Sequence, residues 1–239
     1  MLHLPKDSPK WEEIHNCKSV KFCSVTCFLD FIGEGYNSRA SLFRQNKTPP
    51  SSYTKLMFEH GHKNELKAKA LIERKYPGFL LPEDAMKDIS FFTTKGLLGS
   101  PDGFYYSDDE GLGIVEIKCP FGNQYGQDQV LEERFEENPK RFKHWLQLQL
   151  YLHILNLQHG ILMYYYPHGG ENGEQIGILS KIQRDTELME LLGVDENLDL
   201  FFQYVKDPLS CPKRQKKESH DITTERISRG ITQRVRLQV

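Results

Sequence analysis

Hydrophobic residues recur at helical spacing in three stretches of the chain. These stretches cover residues 52–76, 139–158 and 186–205. Pro49-Pro50 precedes the first stretch and Pro77-Gly78 follows it, as expected at the two ends of a helix. Gly193 is expected to interrupt the third stretch. The pattern therefore predicts three amphipathic helices.

Short runs of β-branched and aromatic residues predict strands between these helices. The runs cover residues 78–81, 89–93, 102–106, 112–118, 161–166 and 175–182. Helix, strands, helix and strands in this order are typical of an α/β (α+β) fold, in which helices flank a mixed central sheet. We expect one domain over residues 1–207, followed by a basic C-terminal extension over residues 208–239 with little order.

The charge of the chain is unevenly distributed. Hydrophobic residues make up 38% of the sequence, which is a globular composition, and the formal net charge is −2. Residues 206–239 nevertheless carry nine lysines and arginines against four acids. A basic extension beside an acidic body fits attraction of DNA, but charge alone fits a solvated tail equally well.

Neither a membrane span nor a signal peptide is evident in the sequence. It has no run of eighteen apolar residues, and its first residues lack the apolar stretch of a secretory signal. We therefore expect an intracellular protein, in the cytoplasm or nucleus of the host cell, with no membrane partner. Five cysteines, an odd number, favour reduced thiols, and the spacing of Cys17, Cys23 and Cys27 is unlike that of common zinc modules.

The residues that carry candidate chemistry lie on a predicted hairpin. Two strand-like runs flank residues 107–111, which form a plausible turn. If the hairpin is symmetric about Asp109, Asp102 faces Glu116, with Cβ atoms about 4.5–5.5 Å apart. Lys118 then shares the face of Glu116, because side chains alternate along a strand.

A close pair of carboxylates calls for a cation. Asp102 and Glu116 would repel one another, and neither would ionise fully without compensation. Magnesium is usually held by one or two protein carboxylates and by substrate phosphate, and it can activate a water molecule for hydrolysis. Lys118 could position or deprotonate that water, or stabilise the phosphorus centre. On spacing alone, a surface cluster of salt bridges remains an equal alternative.

Several segments resemble a known nuclease family. Pro101-Asp102 followed by Glu116-Ile117-Lys118 resembles the PD-(D/E)xK nuclease signature. The wider Ser-Pro-Asp-Gly and Glu-Ile-Lys-Cys-Pro-Phe segments resemble the YqaJ-type viral recombinase family, which includes the lambda exonuclease. Gly61 to Glu65 and His144 to Gln149 are similar to two helix motifs of that family. The similarity extends over roughly residues 20–167.

The resemblance implies a restriction-endonuclease-like fold and a role for each matched residue. It assigns metal coordination by Mg²⁺, with Mn²⁺ as a possible substitute, to Asp102, Glu116 and the Ile117 carbonyl. Glu65 would hold or orient the metal, although from the sequence alone an ion pair with Lys69 is the simpler interpretation. Lys118 would be the catalytic lysine, and Gln147 would support the site.

The resemblance also implies contacts with DNA. His144 and Gln149, on the same helix as Gln147, are assigned to DNA binding. The family's exonucleases carry an arginine beside a threonine that binds the 5′-phosphate, and Lys21 and Thr26 occupy that place here. Lysine lacks the bidentate fork of arginine, which puts 5′-end selectivity in question.

The sequence thus predicts a metal-dependent exonuclease that degrades double-stranded DNA from its ends, 5′ to 3′, in recombination or repair. Two alternatives stay open: an endonuclease of the same fold that cuts nicks or other structures, and a catalytically silent DNA-binding recombination module. The expected partners are double-stranded DNA ends and a single-strand annealing protein. The chain would act either as a monomer or as a ring-forming homo-oligomer.

Overall fold

The protein is described from a computed structural model covering residues 2–3, 8–16, 18–43, 51–82, 89–121, 139–169, 173–211 and 224–238. The helices are α1 Pro9–His15, α2 Val25–Phe31, α3 Arg39–Leu42, α4 Ser52–Lys75, α5 Pro139–Leu155, α6 Leu188–Leu191, α7 Val194–Lys206 and α8 Thr224–Gly230. The strands are β1 Leu2–His3, β2 Cys23–Ser24, β3 Ile89–Phe92, β4 Leu97–Gly99, β5 Gly103–Ser107, β6 Gly111–Lys118, β7 His159–Tyr166, β8 Ile176–Gln183 and β9 Ile231–Gln238.

The central sheet is mixed and has the strand order β5-β6-β7-β8-β9. Strands β6 and β7 are parallel, and α5 lies in the connection between them. The other neighbouring pairs in this sheet are antiparallel. A parallel pair needs such a crossover, whereas antiparallel pairs can be joined by short turns. The predicted fold class, a mixed sheet flanked by helices, is confirmed.

Two hydrophobic cores cover the two faces of this sheet. On one face, α4 packs Ala68, Leu71 and Ile72 against side chains such as Val115 and Met163. On the other face, α5 packs residues that include Leu148 and Leu152. Alternation along β6 and β7 sends every second residue to each core. The sheet is therefore the shared middle layer of the molecule.

A smaller sheet lies on the α5 side and has the order β1-β3-β4-β2. It contacts α5 through β3 and β4, and α2 also packs against α5. Six of the seven residues of α2 are buried. The N-terminal part of the chain thus adds to the core around α5. Among the described residues, no helix is both long and apolar enough to span a membrane.

The sequence predicted most of these elements. Helix α4 begins after Ser51, whose Oγ accepts a hydrogen bond from the Thr54 N–H at 3.1 Å. Gly193 adopts a left-handed conformation (φ +52°) between α6 and α7, so the expected interruption is confirmed. The strand expected at residues 78–81 is reduced to one bridge, between Leu80 and Tyr105.

The C-terminal region differs from the expectation of a poorly ordered extension. Residues 231–238 form β9, which pairs with β8 along its length. Leu237 is 2% exposed in the core beneath α4, and Ile227 of α8 is 2% exposed in the core beside α5. The basic side chains of this region gave it the composition of a tail, whereas Ile227 and Leu237 are buried. The central sheet therefore extends beyond the boundary expected at residue 207.

The cysteines also differ in part from expectation. Cys23, Cys119 and Cys211 are free thiols, as expected, and Cys23 is buried. Cys27 is disulfide-bonded, so the expectation of reduced thiols is wrong for this residue.

Candidate active site

The hairpin of β5 and β6 has the register that the sequence predicts. Phe104 pairs with Ile114 and Ser107 pairs with Gly111, whose positive φ of +73° lets the chain turn. Asp102 immediately precedes β5, and its Oδ2 accepts a hydrogen bond of 2.7 Å from the Ile117 N–H. This bond holds the Asp102 carboxylate beside the end of β6.

Glu116 occupies the middle of the site and is only 2% exposed. Its Oε1 accepts a hydrogen bond of 2.5 Å from Lys118 Nζ. Its Oε2 is buried and has no hydrogen-bond donor. The Asp102 carboxyl lies close enough to Glu116 for their charges to repel one another. Two carboxylates at this separation need a proton or a cation between them.

The electrostatics of the pair reflect burial and mutual repulsion. Burial raises the pKa of Asp102 well above its usual value, and the charges of Glu116 and Glu65 raise it further. Burial likewise raises the pKa of Glu116, while the adjacent Lys118 ammonium opposes the rise. The fold therefore disfavours ionisation of both carboxyl groups, and a bound cation would reverse this preference.

Lys118 is held between β6 and α5. Its Nζ donates to Gln147 Oε1 at 3.0 Å, and Gln147 Nε2 donates to Tyr151 OH at 2.8 Å. Burial lowers the pKa of Lys118, but the carboxylates of Glu116 and Asp102 outweigh this effect and raise it. Gln147 and Tyr151, one turn apart on α5, thus fix the position of the ammonium group.

Glu65 reaches the site from α4. Its charge raises the pKa of both Asp102 and Glu116. It also forms an ion pair with Lys69, with 2.9 Å between Oε1 and Nζ. The ion pair that the sequence offered as the simpler interpretation is therefore present, and the role of Glu65 in holding or orienting a metal stays a prediction.

The donor set at this site fits a divalent cation held by few protein ligands. Within the described ranges, no group of three or more His, Cys, Asp or Glu side chains is clustered closely enough to hold a metal. Magnesium needs only one or two carboxylates, since water and phosphate complete its coordination. Asp102, Glu116 and the nearby Ile117 main chain supply such a set, and the unsatisfied Glu116 Oε2 is the atom that a cation would satisfy.

A family model described as the YqaJ-like viral recombinase domain matches residues 24–158, more than half of the chain. The chain belongs to this family. No curated protein matches it in sequence.

Solved structures show the same fold. The alkaline exonuclease LHK-Exo from Laribacter hongkongensis is 17% identical, with a TM-score of 0.56 over 79% of this chain and 90% of that chain. Its complex with dAMP is 18% identical, with a TM-score of 0.56 over 82% of this chain and 93% of that chain. At 17–18% sequence identity, the similarity to LHK-Exo shows that this YqaJ-like protein shares its fold.

Two tyrosines contact His144 beside the site of this YqaJ-like protein: the buried Tyr164, and Tyr36, which sequence reasoning missed. The Tyr36 OH lies 2.7 Å from His144 Nε2, and His144 Nδ1 lies 2.8 Å from the Tyr164 OH. Tyr36 is 67% exposed, but its hydroxyl is hydrogen-bonded to His144 on α5. No motif surrounds Tyr36, and only the tertiary fold brings it to α5.

His144 and Gln149, both predicted to bind DNA, have different environments. His144 lies at the mouth of the site, between Tyr36 and Tyr164. Gln149 is fully buried, with Nε2 donating to the Gln183 carbonyl and Oε1 accepting from the Asp185 N–H. The prediction of a DNA contact for Gln149 is therefore wrong, because both polar atoms of its buried amide bind the backbone of Gln183, at the end of β8, and of Asp185.

The residues expected to bind the 5′-phosphate lie near the start of α2. Lys21 precedes β2 and Thr26 lies in the first turn of α2, and both are exposed. Their role at the 5′-phosphate stays a prediction.

Proposed function

We propose that this chain is a metal-dependent deoxyribonuclease that hydrolyses double-stranded DNA from its ends, in the 5′ to 3′ direction. The observation that carries the proposal is the pair of the half-buried Asp102 and the buried Glu116, with one unsatisfied Glu116 oxygen beside the Lys118 ammonium. Membership of the YqaJ-like recombinase family and a fold shared with the alkaline exonuclease LHK-Exo support it.

Each residue has a distinct part in this proposal. Asp102, Glu116 and the Ile117 carbonyl would hold Mg²⁺, or Mn²⁺ in its place, with Glu65 holding or orienting it. The bound ion lowers the pKa of water and offsets charge on the phosphate. Lys118 Nζ, positioned by Gln147, donates hydrogen bonds to the attacking water or to a phosphate oxygen. Burial of Glu116 excludes bulk water from the carboxylates and strengthens these interactions.

The direction of digestion along the DNA strand and the partners of the protein belong to the same proposal. Lys21 and Thr26 would hold the 5′-phosphate of the strand that is cut. The 3′ strand left by such digestion is a substrate for recombination or repair, and a single-strand annealing protein would receive it. Cleavage would be carried out by a monomer or by a ring-forming homo-oligomer, which the sedimentation coefficient of the purified protein distinguishes.

The test of function uses three DNA substrates with magnesium. Linear duplex, nicked circle and closed circle are each incubated with the full chain, the linear DNA with and without a 5′-phosphate. We expect mononucleotides from linear DNA alone, with label at the 5′ end released first. Linearised circles would instead identify an endonuclease, and binding without cleavage would identify a silent DNA-binding module.

The site itself is tested by substitution. We expect Asp102→Asn and Lys118→Met each to reduce the cleavage rate by at least about a thousandfold, since each removes a group acting at the reacting phosphate. Asp108→Asn in the hairpin turn and Lys67→Met on α4 change the same residue types at exposed positions and should cleave normally. Wild-type rates in the first two variants would reject the site.

A further inference from the structure

A row of side chains leads from the candidate site to the surface and ends at Tyr36. Lys118 Nζ donates to Gln147 Oε1 at 3.0 Å, and His144 lies three residues before Gln147 on α5. His144 Nε2 lies 2.7 Å from the Tyr36 OH. The row reaches solvent, because the Lys118 side chain is 22% exposed, Gln147 and His144 are half-buried and Tyr36 is 67% exposed. Tyr36 therefore lies on the surface beside the entrance to the site.

The length of this row relates Tyr36 to the phosphate that would be cut. Residues three apart on one helix face have Cβ atoms about 5–6 Å apart, which is the spacing from Gln147 to His144. One strand of duplex DNA advances about 3.4 Å along the axis per nucleotide, so this helical turn spans about two nucleotides. If Lys118 acts at the phosphate, Tyr36 beside His144 is at the distance of the nucleotides that adjoin the cut.

The loop that carries Tyr36 is fixed on both sides of this residue. After it, Asn37 donates to the Asp30 carboxylate of α2 through its main-chain N–H at 2.9 Å and through Nδ2 at 2.7 Å. Before it, Gly35 packs so closely on Asp30 that an added Cβ would clash with this carboxylate. Asp30 is only 3% exposed. A loop ordered in this way loses little conformational entropy when it binds a ligand.

The Tyr36 ring has one face open to solvent. Lys143 Nζ lies over the ring, 2.7 Å from its centroid, and covers one face. Because two thirds of Tyr36 is nevertheless exposed, the opposite face is accessible. The hydrogen bond of its hydroxyl to His144 fixes the orientation of the ring. A fixed, accessible aromatic face is suited to stacking on another planar group.

We propose that the Tyr36 ring stacks on the terminal base of the strand that is cut and thereby favours DNA ends. Inside a duplex each base is covered on both faces by its neighbours, whereas the terminal base has one uncovered face. Such stacking is independent of sequence, since every base has a π-face. This proposal rests on the proposed nuclease function and names the feature of DNA that the entrance to the site recognises.

Stacking is tested by removing the terminal base while the phosphates are kept. Binding is measured by fluorescence anisotropy in the Lys118→Met variant, the parent protein, where cleavage is expected to stop. The probe is a duplex of about 20 base pairs whose 5′-terminal nucleotide is either normal or abasic. Loss of this base should weaken binding to the parent about tenfold. In the parent with Tyr36→Leu, the same loss should have no effect, because the ring that it stacks on is already absent.

Two protein controls separate stacking from support of the fold. Tyr36→Phe keeps the ring and lacks the hydroxyl, so it should retain most of the effect of the terminal base. Equal loss of this effect in Tyr36→Phe and Tyr36→Leu would assign Tyr36 a structural role and overturn the proposal. Tyr106→Leu removes a tyrosine of β5 that is 55% exposed, and it should behave like the parent. Melting temperatures establish that each variant is folded.

The outcomes separate the two proposals. An abasic nucleotide in the middle of the duplex should affect the parent and Tyr36→Leu equally. Failure of the wild-type protein to cut linear DNA would overturn the nuclease function. If the wild-type protein cuts DNA and loss of the terminal base weakens binding equally in the parent and in Tyr36→Leu, recognition of the end by Tyr36 alone is overturned.

Discussion

At the scale of single residues, the buried acid pair links stability to pH. The pKa values of Asp102 and Glu116 are both raised, so the folded chain keeps their protons to higher pH than the unfolded chain does. The stability contributed by these protonated groups is therefore lost as the pH rises above about 4, where unfolded carboxyl groups ionise.

We expect the metal-free protein to melt at a lower temperature at pH 8 than at pH 5, and magnesium to recover the difference at pH 8. A ligand at a hundred times its dissociation constant stabilises by about 2.7 kcal/mol. Calorimetry of the wild type and of Asp102→Asn measures both effects. The melting temperature of the variant should change less with pH and rise less on addition of magnesium. Equal changes in the two proteins would contradict the cation site.

Gly99 leaves room for Tyr151, the residue that accepts a hydrogen bond from Gln147. A Cβ at Gly99 would lie 2.5 Å from Tyr151 Cδ1, so the Tyr151 ring would have to move. Tyr151 accepts the hydrogen bond of Gln147, which in turn holds Lys118.

We therefore expect Gly99→Ala to reduce both stability, by about 1–3 kcal/mol, and the cleavage rate. The control is Gly103→Ala, where the nearest atom, Val115 Cβ, is 4.0 Å from the added Cβ. Denaturant unfolding and single-turnover cleavage measure the two effects. If both variants match the wild type, Tyr151 does not position Gln147.

At the scale of elements, β9 covers the edge of β8. Removal of residues 224–239 should expose that edge and uncover the core residues packed by Ile227 and Leu237. We expect the shortened chain to aggregate or to melt well below the full chain, because an open apolar strand edge pairs with other molecules. Light scattering during thermal unfolding measures this effect. A chain that lacks only Val239 is the control, and equal melting of both chains would contradict the role of β9.

The local elements were predictable because their signals are local. The hairpin register followed from one turn and strict alternation, and it brought Asp102, Glu116 and Lys118 together correctly. The position of Gln147 followed from helical spacing on α5 and the family motif.

Elements that depend on distant partners were not predictable in the same way. The alternation of β9 was obscured by its arginines, since only the pairing with β8 shows which residues face the core. Gln149 matched a motif, but its amide bonds the backbone more than thirty residues away. Tyr36 reaches His144 across 108 positions of the chain, a contact that no local pattern encodes.

At the scale of the whole molecule, the two cores should unfold together. Leu148 and Leu71 are fully or almost fully buried on opposite sides of one sheet, and successive residues of β6 and β7 supply both cores. Loss of either core would remove the packing that orders the shared strands.

We expect a single cooperative transition in guanidinium chloride. Fluorescence of Trp145, recorded in a Trp11→Phe background, reports the α5 side, and far-ultraviolet circular dichroism reports the whole chain. Leu148→Ala and Leu71→Ala should each cost about 2–5 kcal/mol and shift both signals equally. Two separate midpoints would show that the layers unfold independently.

The alternation of β6 limits how a chain of this kind can change over generations. Glu116 and Lys118 lie on the face of the candidate site, while Val115 and Ile117 face the core beneath α4, so insertion or deletion of one codon before Glu116 would exchange the two faces. Glu116 would then enter the apolar layer, and aliphatic side chains would enter the candidate site. Variation in this strand is thus confined to replacement of one amino acid by another, whereas changes of length are tolerated only where the chain leaves the sheet.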